Sequence, residues 1–183
     1  MNKLIVSLFA IAALLAGCGN NPPADQGPAA PVESRGADSG TGVAKVTVDN
    51  VDSSGLPREL TDPKSILSKR SIYFDLDKYD IKDEYKDLVA AHAKFLNANR
   101  GFKVLLQGNT DERGSREYNL SLGQKRADAV KKSLILLGVK EDQVESVSLG
   151  KEKPSCTEST EDCWSKNRRA DILYKGPSGK GEF

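Results

Sequence analysis

The chain has 183 residues, and its 27 lysines and arginines nearly balance its 26 aspartates and glutamates, for a formal charge of +1. This balance excludes a global field that would draw the protein to nucleic acid or to an anionic lipid surface, so any recognition by charge must be local. Charged residues make up 29% of the chain and aromatic residues 6%, as expected for one small soluble domain with a tail. We therefore expect no nucleic-acid partner.

The first 17 residues have the form of a secretory signal peptide. Lys3 gives a positive start, and residues 4–15 form an almost unbroken apolar run of 12 residues, which is too short to span a bilayer. Residues 15–18, Leu-Ala-Gly-Cys, then resemble the lipobox of bacterial lipoproteins, in which the cysteine is acylated. Acyl chains at Cys18 would tie the mature chain to a membrane. An ordinary signal peptide followed by a chance cysteine is the alternative.

The next segment has the composition of a tether. Residues 19–43 are rich in Pro, Gly, Ala and Ser and carry few apolar side chains, so they cannot bury enough surface to fold. Residues 44–63 are transitional, and part of this segment is expected to pack on the edge of the domain. We predict a lipidated cysteine and disordered tether over 18–64, a folded domain over 65–175, and a flexible C-terminal tail over 176–183.

The folded part alternates strands and helices. Apolar alternation predicts strands over 71–75, 144–150 and 169–174, and the mostly apolar run over 102–108 predicts a central strand. Helical periodicity predicts helices over 82–99 and 117–137. The order βαβαβ with a further β, and helices long enough to be crossovers, predicts an α+β fold with a mixed four-stranded sheet and helices packed on one face.

Each predicted helix carries a side chain that is unusual for an apolar face. His92 falls on the apolar stripe of the first helix, and we interpret it as a core or boundary histidine. The predicted buried face of the second helix consists of Leu120, Ala127, Val130, Leu134 and Leu137. Arg126 is adjacent to that face and is therefore expected close to the edge of the core, where an arginine is seldom a freely solvated side chain.

Two cysteines lie close together near the C-terminus. In an oxidising compartment, Cys156 and Cys163 are expected to form a disulfide that closes a short loop, with Trp164 packed on it. These two cysteines and the single histidine are too far apart in sequence to suggest a tetrahedral metal site. Asp75 and Asp77 do not belong to a ligand series like that of an EF-hand loop. We expect no metal and no cofactor.

A polar turn between the second strand and the second helix carries the chemistry. Residues 109–115 read Asn-Thr-Asp-Glu-Arg-Gly-Ser, and ligands of such sheets bind beyond the strand ends, where helix N-termini offer free N–H groups. Asp111 lies in this turn, and Arg126 lies 15 residues further on. A carboxylate and a guanidinium that face one cleft would bind a zwitterion. The alternative is that the two side chains pair with each other or cap the helix.

Four ordered blocks of sequence resemble the OmpA-like peptidoglycan-binding domain, in the variety found in wall-associated lipoproteins. The blocks are residues 108–114, 118–130, 147–154 and 167–171. The resemblance covers about residues 70–175, which is nearly the whole of the predicted folded part.

The resemblance implies a ligand. Domains of this family bind peptidoglycan noncovalently at the meso-diaminopimelate of the stem peptide. It implies that Asp111 takes the ammonium group and Arg126 the carboxylate, with Asn109 and Thr110 lining the pocket and Leu120 touching the ligand. Many members have histidine where this chain has Asn109. Because asparagine still donates and accepts hydrogen bonds, we expect binding to be retained with altered pH sensitivity.

The resemblance also implies a place and partners. Gly19 follows the lipidated cysteine, as in family members that are sorted to the outer membrane, and TolB and the other Tol proteins are the expected partners. The expected role is a tether between outer membrane and wall, which supports envelope integrity and constriction at division. The alternative is a wall-anchoring lipoprotein of another envelope complex. A wall hydrolase that uses Asp111 and Glu112 is disfavoured, because neighbours in a turn rarely flank one bond. Of Arg168 and Arg169, one is expected to frame the pocket, and Arg169 is the one assigned a structural role.

Overall fold

The computed structural model of the protein describes residues 51–183. The predicted signal peptide, the acylation site at Cys18 and most of the predicted tether lie outside the described residues. The elements in chain order are α1 (Arg58–Thr61), β1 (Ser71–Tyr73), α2 (Lys86–Ala98), β2 (Lys103–Asn109), α3 (Arg116–Leu136), β3 (Val144–Gly150), α4 (Glu161–Asn167) and β4 (Arg169–Lys175). Single 3-10 turns lie at Ile66–Ser68, Asp83–Tyr85 and Glu141–Gln143. None of the helices within 51–183 has the length and apolar character needed to cross a membrane.

The four strands form one mixed sheet in the order β1-β4-β2-β3. β2 and β3 are parallel and are joined through α3, whereas β4 is antiparallel to both β1 and β2. Alternate strand residues are buried in one cluster with the apolar faces of α2 and α3, so these helices share one face of the sheet. The predicted α+β fold with a mixed four-stranded sheet is confirmed.

The buried face of α3 differs from the predicted one. Ala127, Val130 and Leu134 are fully buried as predicted, but Leu120 is half-buried and Leu137 is 46% exposed. Leu137 is the C-terminal cap of α3, where the chain leaves the core. The other buried positions of α3 are Asn119, Leu122, Gly123 and Arg126.

Two glycines let α3 approach the sheet closely. A Cβ atom on Gly108 of β2 would lie 1.8 Å from the carbonyl oxygen of Gly123. No side chain fits into that gap, so backbone packs directly on backbone at this point. The close approach brings the first half of α3 beside the end of β2, which is where the polar turn begins.

The folded part begins earlier than predicted. Leu56 and Leu60 are each 1% exposed and belong to the same core as the sheet. The predicted boundary at residue 65 is therefore too late. Residues 51–64 have only three aliphatic side chains, Val51, Leu56 and Leu60, and α1 has four residues, so no helical period was visible in the sequence.

Residues 177–182 are exposed, but hydrogen bonds connect the segment 176–183, predicted as a flexible tail, to β4. Gly181 forms a β-bridge with Lys175. The Glu182 carboxylate accepts a hydrogen bond from the backbone N–H of Tyr174 at 2.8 Å and pairs with Arg70. The tail is thereby fixed against β4.

The segment between β3 and β4 is more ordered than a long polar loop. It contains α4, whose N-cap Thr160 accepts from the N–H of Cys163. Cys156 and Cys163 are joined in a disulfide, with their Cα atoms 5.3 Å apart. Asn167 closes the same segment, because its Oδ1 accepts from the N–H of Cys156 and its Nδ2 donates to the Cys156 carbonyl. The disulfide and Asn167 together hold α4 in place.

Candidate ligand-binding site

A pocket of about 160 Å³ lies where β2 ends. It is formed by the loop after β1, the turn after β2 and the first half of α3. Its lining residues are Leu76, Asp77, Thr110, Asp111, Arg113, Gly114, Tyr118, Asn119, Leu122 and Arg126. Asp111 and Arg126, which the sequence singled out, therefore face one pocket.

The turn from β2 to α3 is held by local hydrogen bonds. The register between β2 and β3 shifts at Gly108/Asn109, and such irregularities redirect a chain at the end of a strand. Ser115 caps α3 by accepting from the N–H of Tyr118 at 3.2 Å. Asn119 reaches back and donates to the carbonyl of Arg113 at 2.8 Å. The turn residues are thus fixed relative to the helix.

The Asp111 carboxylate is 5% exposed and is bound by two arginines. Oδ2 lies 2.7 Å from Arg113 Nη2 and 3.3 Å from Arg168 Nη1. Oδ1 accepts from the N–H of Arg113 at 3.1 Å and from its Nε at 3.3 Å. Burial alone would raise the pKa of Asp111, but the hydrogen bonds from Arg113 and Arg168 outweigh it, and the pKa lies below its usual value. Asp111 is therefore ionised at neutral pH.

Arg126 is completely buried and is held by three backbone carbonyls. Its Nε donates to the carbonyl oxygen of Lys78 at 2.9 Å, its Nη1 to that of Asn109 at 2.9 Å, and its Nη2 to that of Asp75 at 3.1 Å. Burial lowers the pKa of Arg126 to about 10, so it stays cationic at neutral pH. The guanidinium has five N–H donors, and these bonds use three of them. The other two donors have no hydrogen-bond partner among residues 51–183.

The alternative to a ligand site was that Asp111 and Arg126 pair with each other or cap the helix, but the side-chain cap of α3 is Ser115. Within residues 51–183, Asp111 bonds to Arg113 and Arg168, while Arg126 bonds to backbone carbonyls. Opposite charges thus line one pocket without neutralising each other by direct contact. This is the arrangement that a zwitterion receptor requires.

The other predicted site residues are divided. Thr110 is buried and lines the pocket. Asn109 contributes its backbone carbonyl to Arg126, but its side chain donates to the Gln107 carbonyl at 3.1 Å and to Asp171 at 3.2 Å. Leu120 is not among the pocket residues and lies against Gly150. The structure therefore gives Asn109 a supporting place and does not bring Leu120 to the pocket.

Seven of the ten lining residues were missed as candidates for binding, and Asp77 and Tyr118 are two of them. Asp77 was considered only as a calcium ligand, and Tyr118 only as part of a sequence block. The Tyr118 hydroxyl donates to the Asp77 carboxylate across the mouth of the pocket. Asp77 has a left-handed backbone with φ of 57°, which is uncommon for a residue other than glycine. No local pattern signals that contact, because the two residues are 41 positions apart.

The two neighbouring arginines have separate roles, as expected. Arg169 is bound to Asp171, with its Nε 2.9 Å from Oδ2. Arg168 is buried and reaches Asp111 at 3.3 Å, the carbonyl of Phe74 at 3.2 Å and Glu161 at 2.5 Å. Arg168 therefore frames the carboxylate of the pocket.

The Trp164 side chain contacts two residues of the turn after β2, Arg113 and Glu112. Its ring lies under Arg113, with 4.1 Å between the guanidinium carbon and the ring centroid. Its indole Nε1 donates to Glu112 at 2.9 Å, and Ser159 donates to the same carboxylate at 2.7 Å. Glu112 thus faces α4, whereas Asp111 faces the pocket. The two carboxylates do not flank a common site, which argues against an acid/base pair.

Metal ligands are not clustered in this part of the protein. Within residues 51–183 there is no group of three or more His, Cys, Asp or Glu side chains placed to hold a metal ion. Asp75, which was weighed as a calcium ligand, lies 2.8 Å from Lys82 Nζ.

Comparison with known proteins places the chain in a family. The sequence profile of the OmpA family matches residues 73–168. The peptidoglycan-associated lipoprotein of Pasteurella multocida (strain Pm70) is 53% identical over 104 residues, which are 57% of this chain and 69% of that protein. The peptidoglycan-associated lipoprotein of Pseudomonas putida is 44% identical over 113 residues, which are 62% of this chain and 68% of that protein.

Solved structures are also similar to this chain. The crystal structure of the peptidoglycan-associated lipoprotein from Burkholderia pseudomallei is 54% identical, with a TM-score of 0.63, and the match covers 64% of this chain and 99% of that one. The C-terminal domain of Helicobacter pylori MotB is 22% identical with a TM-score of 0.54 and covers 57% of this chain and 83% of that one, which shows the fold alone. The chain belongs to the OmpA family and, within it, to the peptidoglycan-associated lipoproteins.

Proposed function

We propose that the protein binds peptidoglycan noncovalently through the meso-diaminopimelate of the stem peptide. Asp111 receives the ammonium group of this residue, and Arg126 receives its carboxylate. The observation that carries the proposal is that the two opposite charges line one pocket without bonding to each other, while Arg126 keeps two N–H donors uncommitted. A guanidinium held rigidly by three carbonyls is preorganised for a planar carboxylate.

The rest of the pocket suits the same ligand. Methylene groups separate the two amino-acid centres of diaminopimelate, and Leu76, Tyr118 and Leu122 offer apolar surface for them. The buried Thr110 Oγ1 has no hydrogen-bond partner among residues 51–183 and is an additional polar contact. Asp77 places a second carboxylate near the ammonium group. A volume of about 160 Å³ suits the end of one side chain and is too small for a glycan chain.

The protein is a structural, wall-associated lipoprotein and not an enzyme, as its family indicates. The placement of Glu112 away from the pocket removes the acid/base pair of Asp111 and Glu112 that was weighed from the sequence.

We further propose that lipid at Cys18 anchors the chain in the outer membrane and that the folded domain faces the periplasm. The domain then links the outer membrane to the wall as part of the Tol–Pal system, with TolB as a protein partner. The proposed role is to support envelope integrity and constriction at division. The lipobox-like residues 15–18 and the tether composition of residues 19–43 support the anchor, and the family supports the role.

A matched pair of ligands tests the binding proposal. The mature chain without lipid, residues 19–183, is titrated with a stem peptide that ends in meso-diaminopimelate and with the same peptide that ends in L-lysine. Lysine keeps the ammonium group and lacks only the second carboxylate. Loss of a charge-assisted contact to the buried Arg126 should weaken binding by about 2 kcal/mol or more, which is about 30-fold. Equal affinity for the two peptides would contradict the role of Arg126.

TolB is tested separately. Purified TolB should bind the same chain and should be released by an excess of the diaminopimelate peptide if both use the turn after β2. Failure of TolB to bind would leave the wall-binding proposal intact and would point to another envelope complex.

A further inference from the structure

The Asp111 carboxylate has no acceptor position left in the structure. A carboxylate offers about four lone-pair sites, and all four are used here. Oδ1 accepts from the backbone N–H and the Nε of Arg113, and Oδ2 accepts from Arg113 Nη2 and Arg168 Nη1. An ammonium group can therefore bind Asp111 only after one of these donors has left.

The Arg113 side chain is the donor that is free to leave. Arg168 is only 6% exposed at its side chain, and it also holds Glu161 and the carbonyl of Phe74, so its removal would leave a buried charge unpaired. The backbone N–H of Arg113 is fixed by the turn. The Arg113 side chain is 36% exposed, so of the two arginines bound to Asp111 it is the one that can move into solvent.

The protein also offers the Arg113 side chain a second position. Its guanidinium carbon lies 4.1 Å from the centroid of the Trp164 ring. Its Nη2 lies 3.8 Å from Glu161 Oε2, on α4. A small movement away from Asp111 keeps the stacking on Trp164 and tightens the ion pair with Glu161.

We infer that Arg113 is an internal competitor that occupies the ammonium subsite and swings onto Trp164 and Glu161 when a ligand ammonium replaces it at Asp111. This inference rests on the proposed function of Asp111. The exchange of a guanidinium for an ammonium leaves the local charge unchanged, so it favours ligands that carry a cation. A ligand with a carboxylate or an amide alone does not replace Arg113. Arg113 is thereby a specificity-determining residue of the wall-binding site.

The single tryptophan of the chain makes the movement measurable. In residues 19–183, saturation with the diaminopimelate peptide should change the fluorescence of Trp164, because the cation that stacks on the indole moves. In Arg113→Gln, the peptide should bind about fivefold more tightly, since the competing ion pair is gone. The ligand-induced change in fluorescence should be lost in this variant. The matched control is Arg116→Gln, which removes an exposed arginine at the start of α3 that pairs with Glu152. This variant should bind the peptide like wild type and show the same change in fluorescence.

Several results would overturn the inference. Binding by Arg113→Gln that is unchanged or weaker than wild type would mean that Arg113 orients Asp111 or touches the ligand rather than competing with it. A saturated wild-type complex whose fluorescence equals that of the unbound chain would also overturn it. Asp111→Asn separates the two proposals: if this variant binds the peptide like wild type, the proposed function fails. If Asp111→Asn loses binding while Arg113→Gln shows no gain, only the inference about Arg113 fails.

Discussion

His92 should make the stability of the domain depend on pH in a defined window. It is the single histidine of the chain and is completely buried. Nε2 lies 3.0 Å from the Lys69 carbonyl oxygen, which can only accept, so Nε2 carries the proton. Nδ1 then accepts from the Tyr174 hydroxyl at 2.9 Å. Burial lowers the pKa of His92 from 6.5 to about 4, because the imidazolium would lose its hydration.

The sign follows from the order of the two pKa values. The unfolded chain takes up its proton near pH 6.5, whereas the folded chain does so only near pH 4. The unfolded state therefore binds more protons between these values, and stability falls as the pH is lowered through this window. One pKa unit corresponds to 1.36 kcal/mol, so about 3 kcal/mol of unfolding free energy should be lost between pH 6.5 and pH 4.

Urea unfolding from about pH 8 to about pH 4 measures this loss, with His92→Gln as the reference. Glutamine can donate to the Lys69 carbonyl but does not titrate. The difference in unfolding free energy between wild type and variant should shrink by about 1.4 kcal/mol per pH unit inside the window and stay constant above it. Carboxylates such as Asp111, whose pKa lies below 3.8, act at lower pH and cancel in the comparison. Parallel pH profiles for the two proteins would refute the buried, neutral histidine.

Two further predictions concern packing. Gly108→Ala should lower the free energy of unfolding by about 3 kcal/mol or more, because the new methyl group would lie 1.8 Å from the Gly123 carbonyl oxygen. A urea midpoint like that of wild type would contradict the close approach of α3 to β2. Leu60→Ala should cost about 2–5 kcal/mol in thermal or urea unfolding, because Leu60 is 1% exposed, whereas Leu136→Ala, at 86% exposure, should change stability by less than about 0.5 kcal/mol. Equal effects of the two leucine substitutions would mean that the segment around Leu60 does not pack in the core and belongs to the tether.

The regular part of the fold was readable from the sequence because burial repeats with a fixed period. The strand over 144–150 has the predicted bounds, and the others differ by one or two residues at an end. In β4, Ile172 and Tyr174 alternate with less buried neighbours, and both are fully buried. Arg126 was placed only at the edge of the core, since its burial depends on three carbonyls that lie 17 to 51 positions away in the chain.

The features that were not predicted from the sequence are short helices and long-range contacts, which leave no periodic pattern of apolar residues. The four-residue α1 and the seven-residue α4 span too few turns to show a stripe. The packing of the C-terminal tail depends on Glu182, which reaches Arg70 over 112 positions. Trp164 was assigned to the disulfide because it is next to Cys163 in sequence, yet its ring stacks with Arg113 from a different loop. Contacts of this kind arise only when the chain has folded.

The central claim is that Asp111 and Arg126 form one receptor for the zwitterion of the wall peptide. Sedimentation of the lipid-free chain, residues 19–183, with purified peptidoglycan sacculi tests it most directly. Because Arg126 is buried and bonded, the substitutions are the conservative Asp111→Asn and Arg126→Lys, with circular dichroism to verify folding.

The exposed Asp87 provides the matched control Asp87→Asn. Asp111→Asn removes one charged partner of a buried contact, which should cost about 2–5 kcal/mol, and Arg126→Lys removes the planar fork that binds a carboxylate bidentately, so both pocket variants are expected in the supernatant. We predict that wild type and Asp87→Asn sediment with the sacculi, while both folded pocket variants remain soluble. Sedimentation of all four proteins to the same extent would contradict the account and would place the wall-binding surface outside this pocket.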